Sequence, residues 1–102
     1  MLQENKHWSS GNWQVSAGKA EEFIDRWREF LTWTREANDG FLGARLVRDL
    51  SNPNHFLSMA SWQDLGAMRS WQEKPEFGPK LTACRALCDD MQSGGYELVV
   101  DL

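Results

Sequence analysis

The stretch FLGARLVRDLSNPNHFLSMASW, Phe41 to Trp62, decides how this chain folds. Phe41–Leu50 and His55–Trp62 read as two strands, and Ser51-Asn52-Pro53-Asn54 between them has turn chemistry, which predicts an antiparallel hairpin. Both faces of the hairpin carry apolar groups. In the first strand Leu42, Ala44 and Leu46 lie opposite Phe41, Gly43 and Val47; in the second, Phe56, Ala60 and Trp62 lie opposite Leu57 and Met59. A sheet with one wet face alternates more cleanly. A chain of 102 residues has no second layer to spare for the far face. The economical expectation is that another copy of the same sheet covers it, making a homodimer.

Upstream, Asn12 to Ala17 alternates with period 2, Trp13, Val15 and Ala17 against Asn12, Gln14 and Ser16, and predicts a strand ended by Gly18. The first ten residues, Met1 to Ser10, read as a loose arm, and the expected division is an arm at 1–11 and one domain at 12–102. After Gly18, Ala20, Phe23, Ile24, Trp27, Phe30, Leu31 and Thr34 follow the spacing of a single apolar stripe on a long helix. Glu21, Glu22 and Asp25 sit in its first turns, opposing the positive end of the helix dipole. Asn38-Asp39-Gly40 closes it with residues that tolerate positive φ.

Downstream of the hairpin, Gln63–Gln72 predicts a short helix with Leu65, Met68 and Trp71 inward. Lys74-Pro75 and Gly78-Pro79 interrupt it. Lys80–Met91 predicts another helix, striped by Leu81, Cys84, Cys88 and Met91 and ended by Ser93-Gly94-Gly95. Tyr96–Leu102 reads as the last strand. The resulting order is βαββαβ, the ferredoxin-like split motif: an α+β fold with helices on one face of a four-stranded antiparallel sheet.

Composition narrows the function classes. Net charge is −4 and the basic residues are scattered, which argues against nucleic acid and against an anionic membrane surface. No segment approaches the about 20 apolar residues that span a bilayer, and Met1–Gly11 lacks the apolar core of a signal peptide. Cys84 and Cys88 are too few for a disulfide framework, and the expected location is the cytoplasm. Six Trp in so short a chain point to a partner surface, an apolar ligand, or both.

Four local features resemble the antibiotic biosynthesis monooxygenase family of dimeric α+β barrel proteins. They are Gly18-Lys19-Ala20-Glu21-Glu22-Phe23 at the helix start, Gly40-Phe41-Leu42-Gly43-Ala44 opening the second strand, Phe56–Trp62 as the third, and Trp71 followed by Pro75-Glu76-Phe77. The resemblance spans about Trp13 to Leu102. It implies a homodimer with an apolar cavity between sheet and helices. Some members oxidise phenolic or anthrone-like molecules with O2 and without metal or flavin; others degrade haem, or bind or isomerise small metabolites. A shared fold does not choose among these.

The resemblance puts Trp62 where family members place a pocket Trp, a flat apolar wall with one N–H donor; the plainer reading is core at a strand-to-helix corner. Asn12 and Gln14 share one face of the first strand, and their amides would steady a phenolate or enolate if that face met the cavity, against the alternative of a solvated or interfacial face. His55, after the turn, is the candidate proton acceptor, with His7 in the arm the other histidine. Trp27 and Trp71 are expected to contact an aromatic substrate. Arg45 would bind an acidic substrate group, or make an ion pair across the dimer.

In haem-degrading relatives a first-strand Asn pairs with that Trp and with a His beyond the broken helix; the matching positions here are Gly11 and Leu81, so haem finds no axial ligand. Cys84 and Cys88, with no second ligand pair, read as core thiols rather than a zinc site. No phosphate loop, His-Glu-x-x-His or Gly-x-Ser-x-Gly motif is present. The leading expectation is a cofactor-independent oxygenase of small phenol, quinol or anthrone-type aromatics. Its rivals are a non-catalytic dimer that binds an apolar metabolite and a metabolite isomerase.

Overall fold

The structure, a computed structural model, describes residues 7–102. Its elements are β1 (His7–Val15), α1 (Ala20–Ala37), β2 (Phe41–Asp49), β3 (Asn52–Trp62), α2 (Leu65–Glu73), α3 (Phe77–Arg85) and β4 (Cys88–Glu97). The four strands form one sheet in the order β2-β3-β1-β4, every neighbouring pair antiparallel. This is the expected ferredoxin-like βαββαβ fold, with its second helix in two pieces.

β1 begins at His7 rather than Asn12. Residues 7–11 of the expected arm are therefore sheet, paired on both sides from His7↔Trp62 and His7↔Glu97 onward. The rest of that arm, 1–6, lies outside the described residues. Gly18 has φ 80°, a left-handed turn that a Cβ would strain, and it reverses the chain into α1. The α1 stripe lies as predicted: Phe23, Phe30 and Thr34 are buried, with Ala20, Ile24, Trp27 and Leu31 packed around them. Phe23 sits between Trp13 and Phe56, at ring-centroid distances of 5.1 and 5.2 Å, and so ties α1 to the centre of the sheet.

The end of α1 is closed by a different device from the one expected. Asn38 stays at φ −136° and its side-chain amide donates to the Thr34 carbonyl at 2.8 Å, so a side chain satisfies a free helix-end carbonyl. The hairpin is present, with a shorter turn: Asp49 pairs with Asn52, leaving only Leu50-Ser51 as the connection. A register shift between Phe41 and Gly43 turns Phe41 onto the helix side, 5.5 Å from the Trp62 ring, and leaves Leu42 outside. Phe41 therefore does not share a face with Val47, as strict alternation had it.

The larger departure is at the C-terminal side. α3 stops at Arg85, where the Ala86 and Leu87 amides donate back to Thr82 and Cys84. Cys88 and Met91, expected on a helix, belong to β4, and the Gly94-Gly95 pair lies inside that strand. The spacing of Leu81, Cys84, Cys88 and Met91 fits a helix, yet β1 is an interior strand whose second edge needs a partner. Pairing from Val15↔Cys88 to His7↔Glu97 fills that edge. Pro79 does not break α3, because it falls in the first turn, where the missing N–H has no partner in any helix. Of the expected last strand only Tyr96 and Glu97 are strand; Val99 and Leu102 stand in the open beyond it.

Candidate functional site

Along β1, Ser9, Gly11, Trp13 and Val15 face the helices and are buried. Phe56, Ser58, Ala60 and Trp62 do the same along β3. Between this surface and the helices lies a cavity of about 320 Å³, the size expected for a small organic ligand. Its upper wall is aromatic. Trp27 and Phe30 come from α1, Trp71 from α2 and Phe77 from α3. Phe30 stacks on Trp71 with centroids 5.8 Å apart, and Phe77 meets Trp71 edge-on at 4.7 Å. The sheet side presents small groups, Ser9, Gly11 and Ser58 with Ser93, Gly94 and Gly95 from β4, beside the larger Trp13 and Met91. None of the residues lining the cavity carries an ionisable side chain.

Three tryptophans around this space donate their indole N–H to hydroxyls. Trp13 donates to Ser58 at 3.0 Å, Trp62 to Ser9 at 3.1 Å, and Trp71 to Thr34 at 2.9 Å. A buried indole N–H left alone is costly, and each bond removes that cost while fixing the ring. The Thr34 hydroxyl in turn donates to the Phe30 carbonyl at 2.8 Å.

The sequence-predicted site residues divide between the two faces of the sheet. Trp27 and Trp71 are in the cavity wall. Trp62 is not: it is wholly buried behind Trp71, ring centroids 4.8 Å apart, with its N–H already committed to Ser9. It belongs to the core and braces the wall from behind. Asn12, Gln14, Arg45 and His55 are all on the sheet face turned away from the helices. The reason is parity: Asn12 and Gln14 alternate with Gly11, Trp13 and Val15, whose side of the strand is the buried one. Arg45 pairs with Met59, and Val47 with Leu57, on that same outer face.

On the outer face His55 is held at both ring nitrogens, Nδ1 2.9 Å from Asp49 Oδ2 and Nε2 2.8 Å from Asn12 Oδ1. The His55 hydrogen bond, with the Ser51 amide behind it, holds the Asp49 carboxyl below the usual carboxylate range. This acid–imidazole–amide line is a partly exposed polar cluster on the side of the sheet away from the cavity. Around it Val47, Leu57 and Met59 are each about half exposed. Cys84 is fully buried, and desolvation pushes its thiol up to about 12; Cys88 is raised to about 11 for the same reason. Both thiols are protonated near neutral pH, Cys84 in the core and Cys88 partly buried against it, and among the described residues no group of three or more His, Cys, Asp or Glu converges as a metal site.

Sequence reasoning missed Ser9, Ser58 and the β4 glycines. A signal for the serines exists: each is a small polar residue at an inward position of an otherwise apolar strand face, Ser9-x-Gly11-x-Trp13 and Phe56-x-Ser58-x-Ala60. Such a position is filled either by a buried hydrogen bond or by a ligand.

A family model described as antibiotic biosynthesis monooxygenase matches residues 10–78. Among solved structures, the chain is similar to a mutant form of SnoaB, a cofactor-independent oxygenase from Streptomyces nogalater. The two are 25% identical with TM-score 0.86, over 96% of this chain and 97% of that one. A putative antibiotic biosynthesis monooxygenase from Deinococcus radiodurans is 29% identical with TM-score 0.81, over 94% and 95% of the two chains. A protein from Shewanella oneidensis, at 15% identity and TM-score 0.82 over 99% and 98%, shares the fold. No curated protein matches the chain.

Proposed function

The chain belongs to the antibiotic biosynthesis monooxygenase family, and from that premise we propose that it is a cofactor-independent monooxygenase of a small phenol, quinol or anthrone-type aromatic. The observation that carries this reading is the cavity itself: flat aromatic walls from Trp27, Phe30 and Trp71, over a sheet surface where Ser9, Gly11 and Ser58 leave room beside Trp13. That shape accepts a planar ring system edge to edge. For an anthrone the reaction balances without a cofactor: the ring CH2 becomes C=O with one oxygen atom of O2, and the other leaves as water with the two hydrogens. The substrate supplies all the electrons.

The chain's contribution is desolvation and alignment. An apolar cavity excludes water from the substrate anion and holds its reactive carbon open to O2. Because no ionisable side chain lines the cavity, the substrate must itself be acidic and lose its proton to solvent at the cavity mouth. The same observation favours a second reading, a non-catalytic module that binds an aromatic metabolite. An isomerase, which needs a base inside the cavity, is not supported by this lining.

The working form in this reading is a homodimer, supported by the half-exposed Val47, Leu57 and Met59 on the sheet face opposite the helices. Its expected location is the cytoplasm. The support is two free thiols, neither of them disulfide-bonded; no helix among the described residues is long and apolar enough to cross a membrane.

The test is oxygen uptake by purified, metal-free protein given a panel of anthrones and hydroquinones, beside Trp27→Ala and heat-denatured controls. One O2 consumed per anthrone, with a lower rate in the variant, supports the oxygenase. Anthrone binding without uptake above the denatured control overturns it in favour of the binding module.

A further inference from the structure

We propose that Ser9 and Ser58 are the polar docking points of the cavity, donating hydrogen bonds to the carbonyl or phenolate oxygen of a planar aromatic ligand. The inference deepens the reading of the cavity as an aromatic-binding site and rests on it.

The argument starts from a difference among the three indole–hydroxyl pairs. A hydroxyl has one proton to donate and lone pairs to accept with. Thr34 uses both capacities: it accepts from Trp71 and donates to the Phe30 carbonyl. Ser58 and Ser9 accept from Trp13 and Trp62, and among the described residues neither donates onward. Both are more than nine-tenths buried, Ser9 at 8% exposure and Ser58 at 9%, and both line the cavity. The indole occupies a lone pair on each oxygen, so the proton is left pointing elsewhere, and the cavity is the space beside it.

Two features make these hydroxyls good donors. Accepting a hydrogen bond polarises an O–H and strengthens what it donates, more so in a dry site. The indoles also fix each oxygen in place, because Trp13 and Trp62 are themselves locked in the core at 2% and 0% exposure. Gly11 faces Ser58 across the strand pair. A Cβ there would come 2.5 Å from Trp13 Nε1 and 2.9 Å from Ser58 Oγ, so glycine keeps the Trp13–Ser58 bond possible and the cavity side above it clear. No charged group lines the cavity, and of its polar side chains Ser10, Gln72 and Ser93 reach solvent, so Ser9 and Ser58 are the buried hydroxyls that can tell an oxygen-bearing ring edge from a hydrocarbon one.

The experiment compares 9-fluorenone with fluorene, the same ring system with and without a carbonyl, by calorimetry on the full chain under nitrogen, so that the fluorene CH2 cannot be oxidised. Wild-type protein is expected to prefer fluorenone, and Ser9→Ala and Ser58→Ala each to lose about three- to tenfold in fluorenone affinity, with fluorene unchanged. The carbonyl stretch of bound fluorenone should lie at lower frequency in the wild type than in the variants. The double variant Trp13→Phe with Ser58→Ala removes donor and acceptor together, so it keeps the test open if a single serine variant misfolds. Equal binding of the two ligands by the wild type, or equal loss of both in the serine variants, overturns the proposal while leaving the cavity as an aromatic site. Binding of neither overturns the aromatic site as well.

Discussion

The Trp13 indole donates its Nε1–H to the Ser58 hydroxyl across 3.0 Å, joining β1 to β3 on the face that meets the helices. Removing the acceptor leaves a buried donor unsatisfied. Ser58→Ala should therefore lower stability by about 1–3 kcal/mol. Trp13→Phe with Ser58→Ala should cost less than the sum of the single changes, because the pair then has no orphan. Urea unfolding of the four proteins checks this, and strict additivity would count against a real bond.

Gly11→Ala tests the same place from the other side. The added methyl meets Trp13 Nε1 and Ser58 Oγ well inside contact distance, and an overpacked core site of this kind typically costs about 1–3 kcal/mol. A thermal midpoint within a degree of wild type would show that Trp13 moves aside freely, and that its position is not fixed.

On the outer face, Asp49 has a carboxyl lowered by its bond with His55. A depressed carboxylate stabilises the fold above the unfolded-state value, near 3.8, and that contribution is lost as pH falls through the folded value. Urea midpoints of wild type and Asp49→Asn should therefore separate above about pH 4 and converge in stronger acid. Parallel curves from pH 2.5 to 6 would mean the bond contributes nothing.

Light scattering at micromolar concentration should give a wild-type dimer. Val47→Lys, on the edge strand β2, and Met59→Lys, on the interior strand β3, place a charge on the outer sheet face, where both side chains are about half exposed. Each should yield a folded monomer, since burying an unpaired ammonium in an interface is strongly unfavourable. A folded wild-type monomer would overturn the dimer and leave the outer face without an occupant.

The cysteines give a chemical check on burial. Cys84, raised to about 12, and Cys88, raised to about 11, should resist iodoacetamide at pH 8, since the thiolate is the nucleophile. Denaturant should release both. The sign for stability is the reverse of Asp49: the protonated thiols stabilise fully below the unfolded value of 9.0, and that contribution fades as pH rises toward the folded values. Rapid labelling of Cys84 in native protein would show that α3 opens readily.

How much of this was legible in the sequence differs by element. The α1 stripe from Ala20 to Thr34 was readable because a helix against a sheet buries one row of side chains, and spacing alone names that row. The hairpin was readable because Ser51–Asn54 marks the reversal between two apolar runs. The stretch from Leu81 to Met91 misled, because its apolar spacing fits a helix throughout. What ends the helix at Arg85 is the free edge of β1, which lies more than seventy residues earlier in the chain.

The site shows the same division more sharply. Local sequence by itself determined the α+β class, the order of elements, and that Trp27 and Trp71 face inward, since each follows from periodicity within one segment. Only the tertiary structure decided which face of β1 meets the helices, and with it everything polar about the site. A strand's two faces are equivalent until something packs on one of them; here that is α1, with Phe23 wedged between Trp13 and Phe56. That contact sends Asn12, Gln14 and His55 outward, commits the Trp62 N–H to Ser9, and leaves the Ser9 and Ser58 hydroxyls facing the cavity.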